Sequence, residues 1–99
     1  MKVLLICFAG MSTSLLMQKI QKAADTENDN LDIEAKPMAE VEDYSGYDIV
    51  LLAPQVRFAL PDIKEAIDEN TKIFPIDSFD YGLMKGEKIY KEMKELLNK

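Results

Sequence analysis

Val3-Leu4-Leu5-Ile6-Cys7-Phe8-Ala9-Gly10-Met11-Ser12-Thr13-Ser14 sets an apolar run, the chain's one cysteine and a string of mostly small residues in immediate succession. Val3 to Ile6 is a continuous apolar stretch, as expected of a strand buried on both faces of a parallel sheet. Ser12, Thr13 and Ser14 are candidate N-caps for a helix with Leu16, Ile20 and Ala23 on one face. A strand, a tight loop and a helix N-terminus aim unpaired backbone N–H groups and the positive end of a helix dipole at one point. Such a point binds anions, and Cys7 stands at its rim.

Three further apolar runs alternate with helical patterns, which predicts a parallel sheet built from strand-helix-strand units. Leu31 to Lys36 alternates with period two, as in a strand with one exposed face or at a sheet edge, and Pro37 ends it. Met38 to Tyr47 reads as a short helix or irregular crossover with a Ser45-Gly46 turn. Asp48 to Ala53 is a second fully buried strand, with Pro54-Gln55 as the loop beyond it. Pro61 opens a helix with Ile63, Ala66 and Ile67 on its buried face. Lys72 to Ile76 is the fourth strand, 77–82 a loop, and Ile89, Tyr90, Met93, Leu96 and Leu97 form the apolar stripe of a last helix.

The expected fold is α/β, a four-stranded parallel sheet in the order 2-1-3-4 with helices on both faces, an architecture like that of small Cys-loop phosphatases. Residues 1–99 are expected to form a single domain. Ligands of such sheets bind at the carboxyl ends of the strands, where the winding direction reverses. Here that lies between the first and third strands, where Cys7, Pro54, Gln55 and Asp77 are expected to converge.

Composition narrows the function. With 18 acidic against 12 basic residues the net charge is −6, and Lys and Arg do not cluster with aromatics in the sequence, which argues against nucleic-acid binding. One cysteine forms no internal disulfide. Met1-Lys2 before Leu4-Leu5-Ile6-Cys7 mimics a lipid-attachment signal, but its four apolar residues fall short of the roughly 7–15 that such a segment needs. A cytoplasmic protein is therefore expected, and no window approaches the ~20 apolar residues of a membrane span.

A lone intracellular cysteine often packs as a small hydrophobe. Facing a helix N-terminus, its thiolate is stabilised and the sulfur becomes nucleophilic. No charged residue falls between Cys7 and Ser14, so an anion here is met by backbone N–H groups and hydroxyls. A Cys-loop phosphatase carries Arg where Thr13 stands; without it the loop is poorly equipped to stabilise hydrolysis of a free phosphoester. Ser12, Thr13 and Ser14 serve equally well as caps alone, Phe8 suits core and surface alike, and Met11 at the surface would suit docking to several partners. The loop could still hold a phosphorylated cysteine transiently; a small phosphatase-like protein and a non-catalytic anion-binding module are further readings.

Cys7-Phe8-Ala9-Gly10-Met11-Ser12-Thr13-Ser14-Leu15-Leu16 strongly resembles the start of the enzyme IIB component of the lactose, cellobiose and chitobiose branch of the bacterial sugar phosphotransferase system. Leu51-Leu52-Ala53-Pro54-Gln55 resembles that family's third strand end, where Gly usually stands at the Ala53 position; Ile76-Asp77-Ser78 with Tyr81-Gly82 resembles its fourth-strand loop. The resemblance implies a cytoplasmic phosphocarrier without cofactor or metal. A phosphohistidine on a IIA partner would phosphorylate the residue matched by Cys7, and the group would pass to a cellobiose-, chitobiose- or lactose-like sugar held by the membrane IIC partner. This chain has no histidine, so the donor lies elsewhere.

Overall fold

The computed structural model describes residues 1–8 and 13–98, Thr13 by its backbone alone. Strand β1 (Lys2–Cys7) leads to helix α1 (Thr13–Thr26), then β2 (Asp32–Pro37) and β3 (Ile49–Leu52). Helix α2 (Leu60–Ala66), β4 (Lys72–Pro75) and helices α3 (Ser78–Gly82) and α4 (Gly86–Leu97) complete the chain. The four strands form one sheet in the order β2-β1-β3-β4, and every neighbouring pair is parallel. The expected topology is the observed one.

Burial explains which strands the sequence declares most clearly. Val3 to Ile6 of β1 and all of β3 are wholly buried, whereas the edge strands β2 and β4 keep partial exposure and mixed composition. A central parallel strand has helices on both faces and so carries apolar residues without alternation. Pro37 is the last residue of β2, opposite Cys7, at an edge where a missing N–H disturbs no further ladder. Because the β1 to β2 and β3 to β4 crossovers run in opposite directions, right-handed connections put α1 and α2 on opposite faces. Helix α4 packs against α1.

Local departures from the expected elements have physical causes. On α1 the fully buried residues are Leu16, Ile20 and Ala24, while Ala23 is half-buried. Successive four-residue steps set this face, and Ala23 lies to one side of it. Helix α2 ends at Ala66, so Ile63 is buried, Ala66 is exposed, and Ile67 is an extended, half-buried residue just outside. Pro54-Gln55, expected as a loop, opens a 3₁₀ turn over 54–59, and 78–82, expected as part of a loop, form the short α3. Met38–Glu40 is one 3₁₀ turn of the irregular crossover.

The α4 stripe is as expected, with Ile89, Tyr90 and Met93 buried and Leu96 and Leu97 packed against the core. Gly86 fixes how α4 meets α1. A Cβ there would lie 2.5 Å from Lys19 Cβ and 2.7 Å from its carbonyl carbon, so only glycine permits this approach. No helix among the described residues is long and apolar enough to cross a membrane.

Candidate functional site

Cys7 ends β1 at the carboxyl edge of the sheet, and the chain reaches the start of α1 at Thr13 within six residues. Its side chain is 2% exposed, and Sγ donates to the carbonyl oxygen of Lys36 on β2 at 3.6 Å. The thiol therefore sits at the top of the core. Phe8 and Ser14 are exposed on either side of the connection. Ala9, Gly10, Met11 and Ser12, expected to cradle an anion with Phe8, Thr13 and Ser14, lie outside the described residues.

Two other connections leave the same edge. Ala53 N–H donates to the Ile6 carbonyl at 3.0 Å, carrying the β1–β3 pairing past the end of β3. Its φ of −63° is open to any residue, so alanine serves where the resemblance suggests glycine. Pro54 then opens the 3₁₀ turn, which touches β1, with Gln55 exposed. Beyond β4, Asp77 Oδ2 accepts from the backbone N–H groups of Phe79 at 3.0 Å and Asp80 at 3.1 Å, capping α3. Asp77 lies at the expected edge, and its carboxylate faces its own helix.

Asp80 fixes α3 in turn. Its carboxylate is buried and accepts from Lys88 Nζ of α4 at 2.9 and 3.1 Å, which holds the Lys88 ammonium above its ordinary pKa. Lys85 lies over the Phe79 ring, 5.0 Å from its centroid. Among the described residues no cluster of His, Cys, Asp or Glu is arranged to hold a metal ion.

Sequence reasoning missed the apolar surface at this edge. Phe8, Leu15, Phe58, Phe79 and Leu83 are the exposed large hydrophobics of the described residues, each between 49% and 69% exposed. All of them lie in segments that follow the carboxyl ends of β1, β3 or β4. Isolated exposed apolar residues are ordinary; what distinguishes these five is that each follows the carboxyl end of a strand. The available signal was their place: bulky apolar residues in loops just after strands, outside every buried stripe. Around the thiol, then, the structure assembles a nucleophilic atom, a nearby helix N-terminus and an apolar surface. Arg57 is exposed in the 3₁₀ turn.

Residues 2–92 match the family model described as the PTS system, lactose/cellobiose specific IIB subunit. Two curated relatives match equally well, each 36% identical over 103 residues, spanning 97% of this chain and 95% of the relative. They are the PTS system galactose-specific EIIB component of Lactococcus lactis subsp. cremoris strain MG1363 and the cellobiose-specific EIIB component of Lactococcus lactis subsp. lactis strain IL1403. Among solved structures, the lactose-specific IIB component domain from Streptococcus pneumoniae superposes with a TM-score of 0.83 at 24% identity, covering 96% of this chain and 95% of that one. That last likeness shows a shared fold.

Proposed function

This chain belongs to the lactose/cellobiose-specific IIB family of the phosphotransferase system, and on that premise we propose that Cys7 carries the phosphoryl group between a IIA donor and a sugar held by the membrane IIC partner. The observation that carries this reading is the placement of Cys7 at the end of β1, before the N-terminus of α1, within an edge that gathers exposed apolar side chains. Residues 1–99 act in it as one domain working at the cytoplasmic face of the membrane.

In the first step Cys7 Sγ attacks the phosphorus of the donor phosphohistidine. The N–P bond breaks, an S–P bond forms, and the thiol proton ends on the departing imidazole. In the second step a sugar hydroxyl attacks that phosphorus, the S–P bond breaks, and the hydroxyl proton returns to sulfur. The loop from Phe8 to Ser14 holds the phosphoryl oxygens with backbone N–H groups and hydroxyls. No arginine stands in that loop, so the transition state for attack of water on phosphocysteine is not strongly stabilised. Pro54 and Gln55 border the same space from the second connection, and Asp77 from the third.

The group attacked is reached by docking, which the apolar edge supplies: burying such side chains against a partner aligns the two reacting atoms and excludes water. The sugar is of the cellobiose, chitobiose or lactose kind. Equal similarity to galactose- and cellobiose-specific relatives fits a division of labour in which IIC selects the sugar. The test is to incubate the protein with its phosphorylated IIA partner and weigh the product. One added phosphoryl group on Cys7, absent from Cys7→Ser, is the expected result. Full transfer by Cys7→Ser would overturn the proposal.

A further inference from the structure

Residues of α1 and of the segment 84–92 line a groove of about 840 Å³ that does not include Cys7. Five lysines line it (Lys19 and Lys22 from α1, Lys85, Lys88 and Lys91 from the start and body of α4), against two glutamates, Glu87 and Glu92. This excess of positive charge stands on a chain whose net charge is −6. We propose that the groove docks an acidic, amphipathic segment of a partner protein.

The charges are not all offset within the chain. Lys88 pairs with Asp80 at 2.9 Å and with Glu92 at 3.6 Å, and Lys91 with Glu87 at 3.0 Å. Among the described residues Lys19, Lys22 and Lys85 form no ion pair with a carboxylate. Elsewhere the acidic excess of the surface repels an acidic partner, so the groove is where one approaches favourably.

Shape and spacing select the occupant. Lys85, Lys88 and Lys91 recur every third residue and span about 9 Å along α4, facing Lys19 and Lys22 one turn apart on α1. A single phosphate reaches one or two such lysines, whereas a segment with carboxylates at helical spacing meets both rows. Ala23 and Met84 add apolar surface to the groove, together with the lysine methylenes. An anionic bilayer is broad and flat and engages a convex basic face better than a cleft between two helices. The amphipathic acidic segment fits all of these features.

The groove does not block the proposed chemistry. Lys19 is six residues beyond Thr13, about 9 Å along α1 from the helix start. A segment held there lies beside the edge around Cys7, which the groove meets where Lys85 covers the Phe79 ring, and tethers a second protein next to the transfer partners.

The test uses a synthetic helical peptide with Glu and Leu at amphipathic spacing, titrated into the isotopically labelled protein at low salt while amide shifts are followed. Shifts confined to residues 19–26 and 84–92 are expected, with affinity falling as salt is added. Lys19→Glu combined with Lys22→Glu should weaken binding at least ~10-fold, the two reversals adding repulsion to lost attraction. Both side chains are exposed, so melting and alkylation of Cys7 should stay unchanged. Shifts spread over other faces, or insensitive to the lysine reversals, overturn the proposal. Equal perturbation by inorganic phosphate alone overturns it in favour of a small anion, and tighter, lysine-dependent binding to phosphatidylglycerol vesicles overturns it in favour of a membrane surface.

Discussion

The two ends of the sheet are finished in opposite ways. At the amino end, side chains close on one another: Tyr47 Oη donates to Glu34 at 2.7 Å, Thr71 Oγ1 to the Tyr47 carbonyl at 2.8 Å, and Tyr90 Oη to Asp29, which also pairs with Lys94 at 2.9 Å. Lys2 N–H donates to the Asp48 carboxylate at 2.7 Å, joining the starts of β1 and β3. At the carboxyl end, Phe8, Phe58 and Phe79 lie open to solvent around a strand that ends in a thiol. The same strands supply both ends, so the difference comes from the connecting segments. At the carboxyl end the side-chain bonds of Asp77, Asp80 and Lys88 fix α3 and α4 and leave Phe8, Phe58 and Phe79 exposed, whereas the amino end buries its aromatic rings Tyr47 and Tyr90.

Charging the open end should break function without breaking the fold, and this is the largest effect expected. Phe58→Glu and Phe79→Glu each place a charge where docking would desolvate it, so transfer from the phosphorylated IIA partner should slow at least ~10-fold. Because both rings are already exposed, melting should hold to within about 0.5 kcal/mol. Stopped transfer together with a collapsed melting curve would mean that the rings support the fold, and the contrast between the ends would vanish.

The converse change belongs at the closed end. Tyr90 is buried, its hydroxyl donates to the Asp29 carboxylate, and that bond holds the Asp29 carboxyl below its ordinary range. Tyr90→Phe removes a hydrogen bond to a charged acceptor and should cost about 1.5–3 kcal/mol of stability, measured by urea unfolding. Phosphoryl transfer by the folded variant should match the parent protein. A selective loss of transfer would show that the closed end also serves the reaction.

The contrast also explains what the sequence makes legible. β1 and β3 are uninterrupted apolar runs because both of their faces are covered, and the strand order follows from crossover handedness once four strands are recognised. Cys7 stands out as the only thiol, at a strand end. Helix α3 is hidden because five residues carry no periodicity; it exists through the Asp77 cap and the Asp80–Lys88 pair, the latter joining residues eight apart. The 3₁₀ turn at 54–59 is equally short, and the sequence does not separate Ala24, which is buried, from Ala23, because small residues weight a stripe weakly. Exposed aromatics follow no period at all, so the open edge becomes visible only when three loops are brought together in space. The expected anion cradle at Ala9 to Ser12 lies outside the described residues.

The smallest expected effect distinguishes the ends by pH. Tyr47 is pushed up to about 12, first by its hydrogen bond to Glu34 and then by burial; Tyr90 is pushed up to about 12, first by burial and then by its bond to Asp29. The folded state thus favours the neutral phenols, and an unfolded tyrosine ionises near ~10. Stability from these groups is complete below the unfolded value and is lost as pH rises from there through the folded one, because the unfolded chain releases the protons first. Their partners Glu34 and Asp29 are shifted down by the same hydrogen bonds, so their contribution is present above the unfolded carboxylate range and is lost only as pH falls through their lowered values. Tyr44, raised by burial alone, is unaltered by a change at Tyr47 and gives both proteins the same background. In Tyr47→Phe, urea midpoints between pH 10 and 12 should therefore fall less steeply than in the parent, while the slopes between about pH 6 and 9, above the carboxylate range and below the phenol range, stay the same. Parallel alkaline slopes would mean that the Tyr47–Glu34 bond does not hold the phenol neutral, and the amino end would lose one of the side-chain closures that set it apart from the carboxyl end.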